Sequence, residues 1–116
     1  VNRLLTLGLA MLALAGCAND PAPSEQMRLS TQAVEQARAV GADQQIEEMQ
    51  KAEQKLARAE KNMGEEDYKR ARVFAEQAEL DARLAEAKVL SQKSQKQLDE
   101  LNARITRLRK QLGELP

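Results

Sequence analysis

The chain has no histidine and no tryptophan, and its only aromatic side chains are Tyr68 and Phe74. Without histidine there is no ordinary catalytic triad and no imidazole base poised near neutral pH. Two aromatics among many alanines cannot build a thick globular core. No glycine-rich phosphate loop and no metal-spaced set of ligands occurs. The adjacent acids Glu47 and Glu48, like Glu65 and Glu66, diverge on a helix and do not form a catalytic carboxylate pair. An enzyme is therefore not expected, and neither is a bound cofactor. Net charge is also missing. Lys+Arg and Asp+Glu stand at 18 each, so there is no bulk pull toward nucleic acid.

What is present begins at the N-terminus. Asn2 and Arg3 make a short, positive start, and Leu4 to Ala15 then run apolar apart from Thr6 and Gly8. Such a run falls short of the roughly 20 residues needed to span a bilayer. A positive start, a short apolar run and small residues before a cut form the layout of a secretory signal peptide. The sequence Leu14-Ala15-Gly16-Cys17 closes the run. Small side chains at Ala15 and Gly16 let a peptidase approach the backbone, and Cys17 offers a thiol for acylation. A single acyl chain holds a membrane only marginally, so stable anchoring takes several. These four residues resemble the lipobox of bacterial lipoproteins. The resemblance implies removal of residues 1–16, a diacylglycerol thioether on Cys17 and a third chain on its new amino terminus. It also implies an address: Ala18, followed by Asn19, stands where an aspartate directly after the cysteine retains such proteins in the inner membrane, which favours the outer membrane. Val1 fits a start codon other than ATG.

Residues 17–24 form the lipidated cysteine and a flexible tether, with two prolines in Asn19-Asp20-Pro21-Ala22-Pro23-Ser24. The rest is rich in Ala, Glu, Gln, Lys, Arg and Leu, all strong helix formers. Residues 25–64 divide into two expected helices. The first runs from Glu25 to Val40 behind Ser24 as N-cap, with Ser30, Ala33, Ala37 and Val40 on one face. Gly41 ends it, and Asp43 is the expected cap of the second, Gln44 to Met63, which carries Met49, Ala52, Leu56, Ala59 and Met63. Gly64 is the expected stop. Residues 65–112 hold a third, long helix beginning near Asp67, and 113–116 are a tail.

The long helix carries two stripes. Tyr68, Ala71, Ala75, Ala78, Ala82, Ala85 and Val89 form one heptad series, small enough for close approach by the first two helices. Leu80, Leu84, Ala87, Ser91, Ser94, Leu98, Leu101, Ile105, Leu108 and Leu112 form another, on a nearly opposite face. The expected fold is all-α: a short antiparallel bundle or hairpin extended by one long C-terminal helix with coiled-coil character. Leu98, Leu101, Ile105, Leu108 and Leu112, beyond the reach of the first two helices, form a partner stripe for a second copy or another envelope protein. Arg104, Arg107, Arg109 and Lys110 complement the helix dipole. They are also a candidate contact for an anionic partner such as peptidoglycan carboxylates or lipid phosphates. Glu47–Lys51, Glu65–Lys69, Glu66–Arg70, Glu79–Arg83 and Glu100–Arg104 are expected ion pairs on solvated faces.

A run in the middle carries a second resemblance. Lys51-Ala52-Glu53-Gln54-Lys55-Leu56-Ala57-Arg58-Ala59 leads to Gly64 and then Asp67-Tyr68-Lys69-Arg70-Ala71. Ala75-Glu76-Gln77-Ala78 and Asp81-Ala82-Arg83-Leu84-Ala85 follow. From Ala33 to Val89 the chain is similar to small Ala-rich bacterial lipoproteins, the family with domain of unknown function 4398. Where that family opens its second helix with Tyr-Ala-Pro, this chain reads Gln44-Gln45-Ile46. The resemblance implies an all-helical Gram-negative envelope protein, often encoded beside or fused to peptidoglycan-binding domains, and it implies no activity. In plan the chain also resembles the major small outer-membrane lipoproteins, but its tail lacks their terminal lysine. Peptidoglycan proximity is therefore expected to be non-covalent. The expected function is a lipid-anchored outer-membrane protein, its body facing the periplasm, with a structural or assembly role. The alternative is an adaptor that docks another envelope protein or a peptidoglycan-associated partner.

Overall fold

The computed structural model describes residues 20–113. Leu14, Ala15, Gly16, Cys17, Ala18 and Asn19 lie outside the described residues, as do 114–116. The fold is all-α, with α1 at Ser24–Ala39, α2 at Glu47–Gly64 and α3 at Tyr68–Gln111. The 44 residues of α3 span about 66 Å at 1.5 Å per residue.

Direction follows from the side chains that meet. Gln26, Gln36 and Val40 of the α1 segment meet Glu79, Glu86 and Lys93 of α3 in that order, so α1 and α3 run parallel. Glu48 and Lys55 of α2 meet Lys88 and Asp81, so α2 runs antiparallel to both. Both short helices pack mainly on α3 and touch each other only sparsely. The core is thin and built from small side chains: Ser30, Val34 and Ala37 from α1, Met49, Ala52 and Ala59 from α2, and the alanines of α3. Ser30 is buried without penalty because its hydroxyl donates to the Met27 carbonyl at 2.8 Å.

The helix ends depart from the sequence expectation at two places. Ser24 is the first helical residue rather than a cap, and Pro23 occupies the N-cap position with no side-chain hydrogen bond. Proline suits this place because the N–H it lacks would find no partner within the helix. Asp43 does not cap α2. Its carboxylate accepts from the Gln45 N–H at 2.9 Å and its carbonyl from the Ile46 N–H at 3.1 Å, making a turn one step earlier. The reason lies in how α1 stops. The N–H of Gly41 (φ 102°) donates to Arg38 and that of Ala42 to Ala37, a Schellman ending that tucks Ala42 into the core. The chain must cross the bundle before α2 can begin.

α2 does stop at Gly64, but Gly64 is its last helical residue rather than the left-handed one, and Glu66 takes that position at φ 60°. The Glu66 and Asp67 N–H groups bond back to Met63 and Asn62 in the same Schellman pattern. A side chain in this conformation costs about 1–2 kcal/mol. Glu66→Gly is therefore expected to stabilise the fold by about 1 kcal/mol, read as a raised urea midpoint. A midpoint that falls would show that the glutamate makes a compensating contact. Because Glu65 and Glu66 stand before α3, neither aligns with its helical partner. Glu65 instead lies 3.8 Å from Lys61, and Arg70 pairs with Asp67 at 3.4 Å. Asp67 does cap α3, accepting from the Arg70 N–H at 3.2 Å.

Candidate interaction surface

The inner face of α3 fixes its outer one. Ala71, Ala75, Ala78, Ala82 and Ala85 are wholly buried and Val89 nearly so, while Tyr68, at the open end of the bundle, is half-buried. Interhelical polar contacts line both edges of this alanine seam. On the α2 side, Lys55 reaches Asp81 and Lys88 reaches Glu48, each at 2.5 Å. On the α1 side, Gln26 donates to Glu79 at 2.7 Å and Gln36 to Glu86 at 2.9 Å. Arg38 and Glu53, 2.7 Å apart, join α1 to α2, and the Arg58 guanidinium sits 5.6 Å over the Phe74 ring. The last tie is Lys93, whose ammonium donates to the Val40 carbonyl at 2.6 Å. There the cation meets the negative end of α1.

Beyond that tie α3 projects alone. Every residue from Leu90 to Gly113 is exposed. The free length, residues 94–111, is about 27 Å. Leu98, Leu101, Ile105, Leu108 and Leu112 are exposed along it. The outer apolar face extends below the expected partner stripe: Leu80 and Leu84, read as part of the outer series, are exposed as expected, Leu80 at 67%, and so is Val73 one heptad earlier. These three lie opposite the alanine seam, so the bundle leaves them uncovered. The exposed face therefore runs from Val73 to Leu112, about 58 Å. Scattered apolar side chains at a surface are ordinary, but eight large ones at stripe spacing, interrupted by Gln77, Ser91 and Ser94, make this face a candidate interaction surface.

Arg104, Arg107, Arg109 and Lys110 flank the far end of the stripe, and none forms an ion pair among the described residues. Arg109 and Lys110 lie in the last turn, where they complement the dipole. Glu100 and Arg104 do not pair among the described residues, whereas Glu47–Lys51 and Glu79–Arg83 do, at 2.5 and 2.6 Å. Among the described residues no helix is long and apolar enough to cross a membrane, and no group of His, Cys, Asp and Glu could hold a metal ion.

Titration follows from the seam contacts. The Lys88 ammonium holds the Glu48 carboxyl below the usual carboxylate range, helped by the backbone. Arg83, and after it Gln26, does the same for Glu79. Carboxylates depressed in the folded state contribute stability above their unfolded pKa of about 4.3 and lose it as pH falls through the folded value. With no histidine to titrate, the thermal midpoint is expected to be flat from about pH 5.5 to 8.5 and to drop below about pH 4. Melts followed by circular dichroism check this, and a step near neutrality would contradict it.

The fold has a counterpart among known structures. A family described as "Domain of unknown function (DUF4398)" matches residues 25–101. The chain belongs to the DUF4398 family. A crystal structure of a DUF4398 family protein from Pseudomonas aeruginosa PAO1 is 60% identical, covers 83% of this chain and 100% of its own, and superposes with a TM-score of 0.80. Among curated proteins no relative matches. The DUF4398 match includes Leu98 and Leu101 but stops before the basic cluster, so Arg104 to Lys110 lie outside the matched region.

Proposed function

We propose that this DUF4398 protein is a lipoprotein of the Gram-negative outer membrane, with a non-catalytic structural or assembly role in the cell envelope. Its body faces the periplasm and acts through helix–helix association. The observation that carries the reading is the outer stripe of α3, whose large apolar residues Val73, Leu80, Leu84, Leu98, Leu101, Ile105, Leu108 and Leu112 are exposed while the opposite face is already spent on the bundle. Leu14-Ala15-Gly16-Cys17 supports the anchor, and Ala18-Asn19 the outer-membrane address. The geometry agrees with tethering. Asp20 to Pro23 lead into α1 at one end, and α3 projects past the other, its tip about 48 Å beyond the level where Gln26 meets Glu79.

Replacing Leu101 and Leu108 together by Glu is expected to weaken self-association of the purified full chain at least about ten-fold, by sedimentation, with helix content unchanged. An unaltered oligomer would overturn the role of this face. Cys17→Ser is expected to abolish labelling by an alkyne-tagged fatty acid and to release the protein from the outer-membrane fraction.

A second reading rests on Arg104, Arg107, Arg109 and Lys110, which are exposed and unpaired among the described residues. It is an adaptor whose tip contacts an anionic envelope partner, including non-covalent contact with peptidoglycan. A chain that stays monomeric when purified, yet crosslinks from position 101 to a different protein in cells, would favour it.

A further inference from the structure

We infer that the outer face of α3 pairs with α3 of a second copy in antiparallel orientation, over its whole length rather than at the free tips alone. The inference rests on the association reading above and adds a partner, a direction and a register.

Extent comes first. An exposed apolar side chain of this size has roughly 60–120 Å² to bury, so the five residues of the free tip supply only about 300–600 Å² per copy. A stable interface takes about 800 Å² from each partner. The stripe reaches that figure only when Val73, Leu80 and Leu84 join it, and all three are exposed on the same face.

Packing of the seam then decides direction. The centre of the stripe is small, with Ala87, Ser91 and Ser94 in succession. A parallel pair in register sets each residue against its own copy, leaving three consecutive layers of small side chains facing small ones. Reversing one helix about the midpoint sets Val73 against Leu112, Gln77 against Leu108, Leu80 against Ile105 and Leu84 against Leu101. Ala87 then meets Leu98, and small faces small only where Ser91 meets Ser94. Large against small across a seam fills space better than small against small.

Charge points the same way. In a parallel pair Arg104 flanks Arg109 of the second copy, and the basic tips lie side by side. In the antiparallel pair each basic tip lies along the start of the other α3, where charge is mixed: the exposed Glu76, with Glu65 and Glu66 beyond it, stands among Lys69, Arg70 and Arg72, while Glu79 and Asp81 are held on the inner seam. Arg83, the base that comes nearest the second copy's Arg104, is already held by Glu79 at 2.6 Å. One consequence concerns the membrane. Antiparallel pairing places the two tethers about 40 Å apart along the helix axis. Two anchors in one bilayer then lay the paired helices along its surface rather than upright.

The test is a photo-crosslinking residue at position 108 of the full chain, purified in detergent, with the crosslinked peptide identified by mass spectrometry. Cleavage after Arg72 and Arg83 isolates residues 73–83, centred about 45 Å from position 108 in the same chain and out of its own reach. A crosslink to 73–83 is expected. A dimer whose crosslinks fall on residues 105–111 would overturn the antiparallel arrangement and leave association standing. A chain that sediments as a monomer at about 100 μM, where a specific pair of this area should be populated, would overturn both.

Discussion

Met49→Ala is expected to cost about 2–5 kcal/mol, a large part of the total stability of a bundle this small. Met49 is the largest wholly buried side chain, from the first turn of α2, and it packs with Ala82, Ala85 and Val89 of α3 and with Val34 and Ala37 of α1. The other buried residues are nearly all alanines, so only the half-buried Val40, Ile46 and Leu56 at the cluster's edge can shift toward the space it leaves. Urea unfolding followed by circular dichroism measures the loss. Met63→Ala, at a half-buried position near the end of the same helix, is expected to cost less than half as much. Equal losses at the two positions would mean that the core is not centred where Met49 sits.

Ala82→Leu is expected to destabilise by about 1–3 kcal/mol through crowding rather than loss. Ala82 is wholly buried where α1 and α2 both approach α3, and added carbon atoms there must push one of them away. The ion pair of Lys55 with neighbouring Asp81 and the Gln26–Glu79 hydrogen bond would be strained with it. Ala103→Leu is the matched control: the same helix, exposed and past the bundle, where the change is expected to stay within about 0.5 kcal/mol. Similar effects at both sites would show that helix propensity, not close packing, accounts for the alanines.

Much of this architecture was legible because a long helix writes its contacts at fixed spacing. The Ala71 to Val89 series announced a close-packed seam, and the Leu98 to Leu112 series an open one. Gly41 marked a helix end because a left-handed residue there is most easily glycine. Glu66 could not be read the same way, since Gly64 two residues earlier drew the expected stop to itself, while the turn geometry put the left-handed residue at a glutamate. Val34 was missed because a helix wedged against two neighbours buries a wider arc than the single stripe through Ser30, Ala33 and Ala37. The Glu48–Lys88, Lys55–Asp81 and Gln26–Glu79 contacts join residues far apart in sequence, and helical spacing says nothing about which residues of different helices end up level. Leu80 and Leu84 were legible as part of the outer stripe by the same spacing, and they are exposed in the structure.

In the proposed assembly α3 has two working faces, one closed within the chain and one closed by a second copy. Amide hydrogen exchange on the full chain, at dilute and at high concentration, tests it directly. Residues 71–89 are expected to be protected at both, and residues 94–111 to exchange rapidly when dilute and to become protected as the chain associates. Protection of 94–111 in a dilute monomer would mean that the helix folds back on its own bundle, and rapid exchange at every concentration would mean that its outer face binds no second copy. Either result would contradict the account.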